Sequence, residues 1–337
     1  MILVTGGTGL LGSHLLYFLL KEGNEVRAIH RKSSNFDSVK KVFSYYNVDA
    51  EAYFNKIDWV EADITDLPSL EPVFQNITHV YHTAAFIGFN PKDFSKLLKT
   101  NVEGTANVVN LCLVNQIKKL CHVSSIATLS AAKNGALINE ENEYNPEDEN
   151  SVYGITKQGA DMEVWRGTQE GLDAIIIKPG VVLGSGHWSS SSSSIFNNVF
   201  KGIPYYTSGG VGLVDIQDVV KAMMSLMNSL ITNDHFILVG ENSSYKNLLN
   251  QIAANFQKKG PSKRIAKWVL LLYCNFDWLL HTLFNKKRKF IKGMVPSLYT
   301  TTSYSSEKIK SKIDFTFTPL SETLERVCKN YLKKTNR

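Results

Sequence analysis

The chain has 337 residues, 43% hydrophobic and 20% charged, a composition that supports a large buried core and argues against disorder. Its formal net charge is +6, with much of the excess in C-terminal clusters such as Lys286-Lys287-Arg288-Lys289. No zinc-binding or RNA-binding motif accompanies these residues, so we expect no nucleic-acid partner and no metal site.

Cysteine usage and apolar stretches indicate a cytoplasmic protein that does not cross a membrane. The cysteines form no C-x-x-C pair, and the chain opens on an apolar strand without a basic leader. The apolar stretch 268–274 is far shorter than the ~20 residues of a membrane span. Weak peripheral contact with a membrane stays open, as does a homodimer.

The predicted elements alternate between strand and helix, which is typical of βαβ units around a parallel sheet. The chain begins with a strand at 2–5, a helix at 10–21 and a strand at 25–30, joined by a right-handed crossover. Later elements are strands at 57–61, 79–82, 120–124 and 173–178, helices near 92–115 and 153–168, and a strand edge with a helix at 214–227. The sequence therefore predicts an α/β fold, a doubly wound parallel Rossmann sheet with helices on both faces.

A smaller C-terminal substrate lobe is predicted from the Gly- and Ser-rich loops after Pro179. We assign residues 1–184 to the nucleotide-binding Rossmann domain, which residues from about 213–239 complete. Residues 185–212 and 240–337 then form the substrate-binding lobe.

The main element of this lobe is a helix predicted at 265–284. It carries Trp268, Leu272, Leu279 and Leu283 on one face. Packing is a commoner cause of such a stripe than contact with a membrane surface, so we expect the stripe to be buried.

A glycine-rich segment, Thr5-Gly6-Gly7-Thr8-Gly9-Leu10-Leu11-Gly12, lies between the first strand and the first helix. Glycines there allow a tight turn and a close approach to a pyrophosphate, and the helix N-terminus adds N–H donors. A glycine cluster alone is weak evidence, but strand, glycines and helix in this order are specific. We predict a bound dinucleotide, held by Gly6, Thr8, Gly9, Leu10, Leu11 and Gly12.

The G-x-x-G-x-x-G spacing of this segment resembles the extended branch of the short-chain dehydrogenase/reductase superfamily, the NAD-dependent epimerase/dehydratase family. The similar motifs further along are Asp63-Ile64 with Asp66, His82-Thr83-Ala84-Ala85, Asn101-Val102-Glu103-Gly104-Thr105 and Lys178-Pro179-Gly180-Val181-Val182-Leu183-Gly184. The resemblance covers most of residues 1–220 and is closest to dihydroflavonol reductases, cinnamoyl-CoA reductases and 3β-hydroxysteroid dehydrogenases. It implies that Asp63, with Ile64, meets the adenine. It also implies that Thr83, Ala84 and Ala85 line the dinucleotide, and that Pro179 and Val182 touch its nicotinamide end.

The turn after the second strand bears on the choice of cofactor. NAD enzymes usually place a carboxylate there for the ribose 2′-hydroxyl, whereas NADP enzymes place a cation for the 2′-phosphate. This chain has His30-Arg31-Lys32 and no carboxylate, and Arg31 suits a bidentate contact with phosphate. The sequence favours NADP(H), although plain surface charges at the turn would leave NAD(H) open.

The catalytic pair is predicted at Tyr153 and Lys157, which four-residue spacing places on one helix face. A nearby cation and an oxidised nicotinamide are expected to lower the pKa of the phenol from its usual ~10. Tyr153 would then protonate a carbonyl oxygen that receives hydride, or take the proton from an alcohol. Such spacing is common by chance, but the position after the fifth strand is the one that the resemblance requires.

A third catalytic group is expected at the end of the fifth strand, in His122-Val123-Ser124-Ser125-Ile126. The resemblance favours Ser125, with Ser124 as the alternative. Epimerases that act on sugar nucleotides place the hydroxyl one position later, where this chain has Ile126. Asn101 matches an asparagine that in similar enzymes organises a water relay to the lysine, although an ordinary buried amide is nearly as good an interpretation.

These features favour an NADPH-dependent reductase of a ketone or aldehyde, or oxidation of the matching alcohol, on a bulky apolar small molecule. Residues near the expected mouth of the cleft suggest an apolar pocket with hydroxyl donors, namely Phe86, Ile87, Phe89, His187 as a rim residue, Trp188 and the serine run 189–194. The segment 209–213 lacks the arginine with which sugar-nucleotide relatives hold the second phosphate, although Arg264 or a lysine from the second lobe could substitute. An epimerase or dehydratase with tightly bound NAD, and a non-enzymatic NADP(H) sensor, remain the alternatives.

Overall fold

The computed structural model describes residues 1–130, 136–189, 192–284 and 291–335. The basic cluster Lys286–Lys289 and the middle of the serine run, residues 190 and 191, lie outside them. The strands are β1 (Ile2–Thr5), β2 (Val26–His30), β3 (Asp58–Glu61), β4 (His79–His82), β5 (Lys119–Val123), β6 (Ala174–Pro179), β7 (Val181–Leu183), β8 (Tyr205–Tyr206), β9 (Gly210–Asp215), β10 (Asp234–Leu238), β11 (Glu241–Ser244) and β12 (Lys263–Arg264). The α-helices are α1 (Leu10–Lys21), α2 (Phe36–Phe43), α3 (Ala50–Phe54), α4 (Leu67–Leu70), α5 (Phe94–Leu97), α6 (Gly104–Val114), α7 (Val152–Gln169), α8 (Ser194–Lys201), α9 (Ile216–Met227), α10 (Tyr245–Asn255), α11 (Lys267–Phe284), α12 (Glu307–Ile313) and α13 (Leu320–Thr335).

The central sheet has the strand order β10-β6-β5-β4-β1-β2-β3, and its neighbouring strands pair in parallel. The chain runs outward from β1 to β3 in one direction and from β4 to β10 in the other. This is the doubly wound Rossmann arrangement that the sequence predicts, so the fold prediction is confirmed. The order reverses between β1 and β4, and ligands of such sheets bind beyond the carboxyl ends of the strands at that point.

Both faces of the sheet are covered, because successive side chains of a strand point to opposite sides. Leu3 packs in a cluster with Val80 and Val108, whereas its neighbour Val4 packs on the other face with Leu15 of α1. All of these side chains are fully buried. The buried strands fix the sheet edge on which the loops described below converge.

A further hydrophobic core lies outside the central sheet. A small sheet of order β11-β9-β7 lies beside helices α10 and α13, whose buried side chains include Leu248, Ile252 and Leu324. Helix α13 is tied to the end of β9, because Thr323 donates a hydrogen bond to Asp215 at 2.6 Å and Arg326 forms an ion pair with the same carboxylate.

The helix predicted near 92–115 is interrupted. A 3₁₀ turn at Pro91–Asp93 leads into α5, and a π-helical turn at Leu98–Glu103 separates α5 from α6. Asn90 starts the segment by accepting a hydrogen bond from the Lys92 amide at 3.1 Å. Turns of the π type often occur at functional sites, and this one contains Asn101.

We expected the apolar stripe on the helix at 265–284 to be buried. For the stripe residues whose side chains the structure describes, this expectation is wrong. Trp268 is 65% exposed and Leu272 is 57% exposed. The packed face of α11 is the other one, where Leu270 and Cys274 contact Val295. Periodicity identifies residues that share a face but does not say which face the protein covers.

Candidate active site

The loop between β1 and α1 packs closely on itself and on the segment after β4, and it can do so because it is built from glycines. Gly6 has a φ of +72°, and a Cβ added there would lie 2.6 Å from the amide nitrogen of Ala84. A Cβ at Gly12 would lie 2.2 Å from the Gly6 carbonyl oxygen. Gly9 caps α1 without a side-chain hydrogen bond, and the first turn of the helix has no acidic residue. The Gly9 amide donates to the Gly6 carbonyl at 2.9 Å, and the amides in the first turn of α1 are of the kind that suits an anionic pyrophosphate.

The turn after β2 lies beside this loop. The side chain of Ser34 accepts a hydrogen bond from the Arg31 amide at 3.0 Å and one from the Thr8 hydroxyl at 3.3 Å. The Arg31 side chain is exposed. This brings the predicted cation to the expected end of the dinucleotide cleft.

Asp63 and Ile64 follow β3 at the same edge of the sheet. Asp63 accepts two hydrogen bonds at 2.9 Å from Thr65, one from its amide and one from its hydroxyl. Ile64 packs on α6, where a Cβ at Gly104 would lie 2.7 Å from its Cδ1. The pair is partly or fully buried next to the strand ends, which fits the adenine contact implied by the family resemblance.

The segment after β4 is held against the glycine loop. Thr83 donates from its hydroxyl to the Thr5 carbonyl at 2.7 Å, and the Ala84 amide donates to the Thr5 hydroxyl at 3.3 Å. The same Thr5 hydroxyl lies 2.7 Å from Nδ1 of the buried His82. Thr83, Ala84 and Ala85 thus lie at the point where the strand order reverses.

Tyr153 and Ser125 lie close together beside Phe89. The Tyr153 hydroxyl lies within hydrogen-bonding reach of Ser125, and its ring centroid is 5.7 Å from that of Phe89. Burial raises the pKa of Tyr153 to about 12, and the Ser125 contact opposes this only in part. Among the protein groups, desolvation of the phenol is the largest effect on this pKa, and the lowering expected from a nearby cation together with an oxidised nicotinamide stays a prediction.

Lys157 points from the same helix toward the end of β5. Its Nζ donates to the Val123 carbonyl at 2.7 Å and lies 3.4 Å from Nε2 of His122. Burial lowers the pKa of Lys157 to about 8, against the influence of Asp161 and with that of Lys178. The ammonium is thus a buried cation one helical turn from Tyr153.

Ser124 belongs to a buried network that the sequence did not reveal. It donates to Asp161 at 2.8 Å, and the same carboxylate oxygen pairs with the Lys178 ammonium at 2.5 Å. Lys178 also donates to the Thr128 hydroxyl at 2.6 Å. Burial alone would raise the pKa of Asp161, but Lys178 and the other cations around it hold this pKa well below its usual range.

A signal for this network is present in the sequence. Asp161 lies four residues after Lys157 and eight after Tyr153, so all three project from one face of α7. A carboxylate in the inward-facing row of a buried helix needs a cation, and Lys178 supplies it.

Asn101 braces the loop that follows the Thr83–Ala85 segment. Its side chain accepts from the Phe86 amide at 2.8 Å and donates to the Phe86 carbonyl at 3.0 Å. It also donates to the Thr156 hydroxyl on α7 at 3.1 Å. Asn101 therefore links the cleft wall to the helix that carries Tyr153.

Of three further predicted residues, two lie on strands and one lies in a hydrophobic core. Pro179 ends β6 and Val182 lies in β7, where it packs partly buried against the sheet. Trp188, expected at the mouth of the cleft, is 5% exposed and packs edge-on against Tyr331 in the second lobe, so that expectation is wrong. Large aromatic side chains are also suited to filling a core, and here the core of the lobe takes this one.

Comparison with known proteins agrees with this geometry. The model of the NAD dependent epimerase/dehydratase family matches residues 2–240. The chain is 27% identical over 284 residues to a putative dihydroflavonol 4-reductase of Synechocystis sp., covering 82% of this chain and 77% of that protein. It is 25% identical over 278 residues to anthocyanidin reductase of Arabidopsis thaliana, covering 76% and 80%.

Similarity extends to solved structures. MoeE5 in complex with UDP-glucose and NAD shares a TM-score of 0.76 with 19% identity, and the match covers 99% of both chains. At this identity the likeness concerns the fold. In the described part of the chain, no helix is long and apolar enough to cross a membrane.

The family model covers well over half of the chain, and Lys157, on the helix that carries Tyr153, donates to the Val123 carbonyl at the carboxyl end of β5. The chain therefore belongs to the NAD dependent epimerase/dehydratase family and is an NAD(P)-dependent oxidoreductase of the extended short-chain dehydrogenase/reductase type.

Proposed function

We propose that this enzyme uses NADPH to reduce a ketone or aldehyde on a bulky, largely apolar small molecule, or oxidises the matching alcohol. The observation that carries the proposal is the Tyr153 hydroxyl within reach of Ser125 and beside the Phe89 ring. Two hydroxyl donors next to an aromatic wall suit a carbonyl on an apolar skeleton.

The raised pKa of Tyr153 agrees with the reducing direction. With a pKa of about 12, the phenol carries its proton at neutral pH and is ready to donate it. A bound NADPH supplies the hydride. Tyr153 donates its proton to the carbonyl oxygen, Ser125 donates a hydrogen bond to the same oxygen, and Lys157 keeps a positive charge on the same helix face.

Asn101 is proposed as a positioning residue. Its three hydrogen bonds hold the backbone of Phe86 against α7, and the same loop carries Phe89. The proposed cofactor contacts are the glycine loop, Asp63 with Ile64, Thr83–Ala85, Pro179 and Val182. The division into a domain at 1–184 with about 213–239 and a lobe at 185–212 and 240–337 is part of this proposal, as are a cytoplasmic location and a homodimer.

Preference for NADPH is supported by the exposed Arg31, whose backbone shares Ser34 with Thr8 of the phosphate-binding loop. The guanidinium is suited to a ribose 2′-phosphate. We expect Arg31→Ala to weaken NADPH binding at least tenfold, about the value of one charge-assisted contact, and to leave NADH binding unchanged. Dissociation constants from fluorescence titration measure this.

Lys118→Ala is the matched control, because this exposed lysine lies just before β5, at the opposite edge of the sheet. It should bind both cofactors as the wild type does. Equal affinity of the wild type for NADPH and NADH would remove the proposed preference.

The substrate class is tested with a panel of carbonyl compounds, followed by NADPH consumption. Bulky apolar ketones or aldehydes should be reduced, while UDP-sugars should give no turnover. An epimerase would instead act on UDP-sugars without net change in the absorbance of the reduced nicotinamide. The structural similarity to MoeE5, which was solved with UDP-glucose and NAD, is the reason to test this alternative. A protein that binds NADPH but reduces nothing in the panel would favour the sensor.

A further inference from the structure

Helix α11 presents an apolar face that nothing in the described part of the chain covers. Trp268, Val269, Leu272 and Phe276 lie within about 100° of one another around the helix axis. They are 65%, 36%, 57% and 56% exposed. We call these four residues the α11 face. Contiguous exposed apolar surface of this kind marks a site of interaction.

The helix itself is held firmly by its other side. Leu270 and Cys274 are buried against Val295, in a cluster that also includes Leu298. The Tyr299 hydroxyl donates to the Ile265 carbonyl at 3.0 Å, just before the helix begins. The α11 face is therefore an outward surface of a packed helix.

The part of the chain around this helix is strongly basic. Between residues 242 and 306 the sequence contains eleven Lys and Arg residues and a single acidic residue, Asp277. This stretch has a formal charge of +10, while the whole chain has +6, so the remaining residues together carry −4. The exposed Lys263 and Arg264 precede the helix, and the exposed Lys267 begins it, next to Trp268.

We propose that the α11 face docks on the surface of an anionic phospholipid bilayer. Tryptophan, leucine and phenylalanine side chains on one face suit the boundary between headgroups and acyl chains, and flanking lysine and arginine side chains suit anionic headgroups. The helix lies on the surface and does not cross it, in agreement with the finding on membrane-crossing helices in the described residues.

A bilayer explains the surface better than a second copy of the chain does. A twofold dimer through the α11 face would bring together two copies of the exposed Lys263, Arg264 and Lys267, and like charges across an interface are unfavourable. An anionic bilayer offers acyl chains to the apolar α11 face and negative headgroups to the flanking basic side chains. The docking does not depend on the reaction proposed above.

The site lies near the active-site mouth. The segment that packs under α11 contains Gly293, where an added Cβ would lie 3.2 Å from the Phe89 carbonyl oxygen, and the Phe89 ring contacts Tyr153. A bilayer at the α11 face would thus be close to the proposed substrate entrance.

Co-sedimentation of the full chain with lipid vesicles tests the proposal. Vesicles of phosphatidylcholine alone are compared with vesicles of equal parts phosphatidylcholine and phosphatidylglycerol, at low and at high salt. The wild type should sediment with the mixed vesicles only, and less at high salt, because salt screens the charges. The double variant Trp268→Ser with Leu272→Ser should bind at least tenfold more weakly.

Matched variants separate the two contributions. Val114→Ser with Leu230→Ser removes two side chains that are 77% and 100% exposed elsewhere, and it should bind as the wild type does. Lys263→Glu with Arg264→Glu should weaken binding more than tenfold, since each cation near an anionic surface contributes about fivefold. Lys56→Glu with Lys118→Glu, at exposed sites in the other half of the chain, should have a smaller effect.

Far-ultraviolet circular dichroism and thermal unfolding verify that each variant is folded. The proposal is overturned if the wild type binds neither kind of vesicle, or both equally, or if folded Trp268→Ser with Leu272→Ser binds unchanged. Sedimentation equilibrium tests the alternative that a second copy of the chain binds the α11 face. A dimer that this double variant converts to a monomer, without vesicle binding by the wild type, would assign the face to a second copy and would also overturn the proposal.

Discussion

Ser124 and Ser125 are neighbours in the sequence but have different surroundings. Ser124 is 3% exposed and donates to the buried Asp161 carboxylate. Ser125 lies within reach of Tyr153 and also accepts from the Ala127 amide at 3.1 Å. The sequence motif contains both serines. The hydrogen-bond partners of the two hydroxyls favour Ser125 as the group that contacts the substrate.

A pair of alanine variants tests this difference. Ser125→Ala should lower kcat by about a hundredfold, because it removes a donor to the oxygen that becomes charged. Ser124→Ala should keep kcat within a few-fold and lower the free energy of unfolding by about 2 kcal/mol, the contribution of one hydrogen bond to a charged group. Steady-state kinetics and urea unfolding measure the two effects, and the opposite ranking of kcat would assign the role to Ser124.

Residue spacing predicted the Tyr153–Lys157 pair but not its electrostatics. The spacing fixes which residues share a face of α7, whereas a pKa depends on burial and on groups from other elements. Here Asp161 and Lys178, from α7 and β6, bear on Lys157. Such contacts between distant parts of the chain could not be predicted from the spacing within one helix.

At the scale of elements, the glycine loop could be predicted from local sequence, because its backbone rather than its side chains forms the expected binding site. Gly6 requires a positive φ and has no space for a Cβ beside Ala84. We expect Gly6→Ala to raise the dissociation constant of NADPH by more than tenfold, since the added methyl group displaces the loop from the Thr83–Ala85 segment. Fluorescence titration of NADPH measures this.

Gly171→Ala is the control for that variant. Gly171 also has a positive φ, +100°, but nothing lies within 4 Å of an added Cβ. It should lower stability by about 1 kcal/mol and leave NADPH binding intact. Equal loss of NADPH affinity in both variants would show that general destabilisation, and not the loop, is responsible.

Elements of the second lobe were harder to predict. Helix α10 is started by Ser244, which accepts from the Asn247 amide at 3.1 Å, yet the surrounding sequence carries no family motif that points to it. The interruption at 92–115 depends on Asn101 binding the Phe86 backbone, a contact between segments. Helix α11 was predicted as a helix. Which of its faces is exposed depends on the segments that pack against it, and the helix sequence alone does not identify them.

For the whole molecule, burial of histidines predicts a loss of stability in acid. His14, His82 and His122 are at most 1% exposed. Burial lowers the pKa of His14 and of His122 to about 4, and that of His82 well below its usual value. The unfolded chain takes up these protons near pH ~6.5, so it binds more protons than the native state below that pH.

The free energy of unfolding should therefore fall as the pH decreases from about 6.5 to about 5.5, above the usual range of carboxyl groups. Each histidine contributes up to about 1.4 kcal/mol per pH unit. Urea unfolding at several pH values measures the slope, and His14→Gln should reduce it by one such contribution. A stability that is constant or rises over this interval is incompatible with neutral, buried histidines.

For the whole molecule the central claim is the role of Tyr153, which lies beside Phe89 and Ser125, and replacing its hydroxyl is the most direct test of the proposed reaction. Tyr153→Phe keeps the ring beside Phe89 and removes only the proton donor. We expect kcat for NADPH-dependent carbonyl reduction to fall at least a hundredfold, with the NADPH dissociation constant nearly unchanged and Tyr205→Phe as an exposed control. Turnover by Tyr153→Phe at the wild-type rate would contradict the assignment of Tyr153 as the acid.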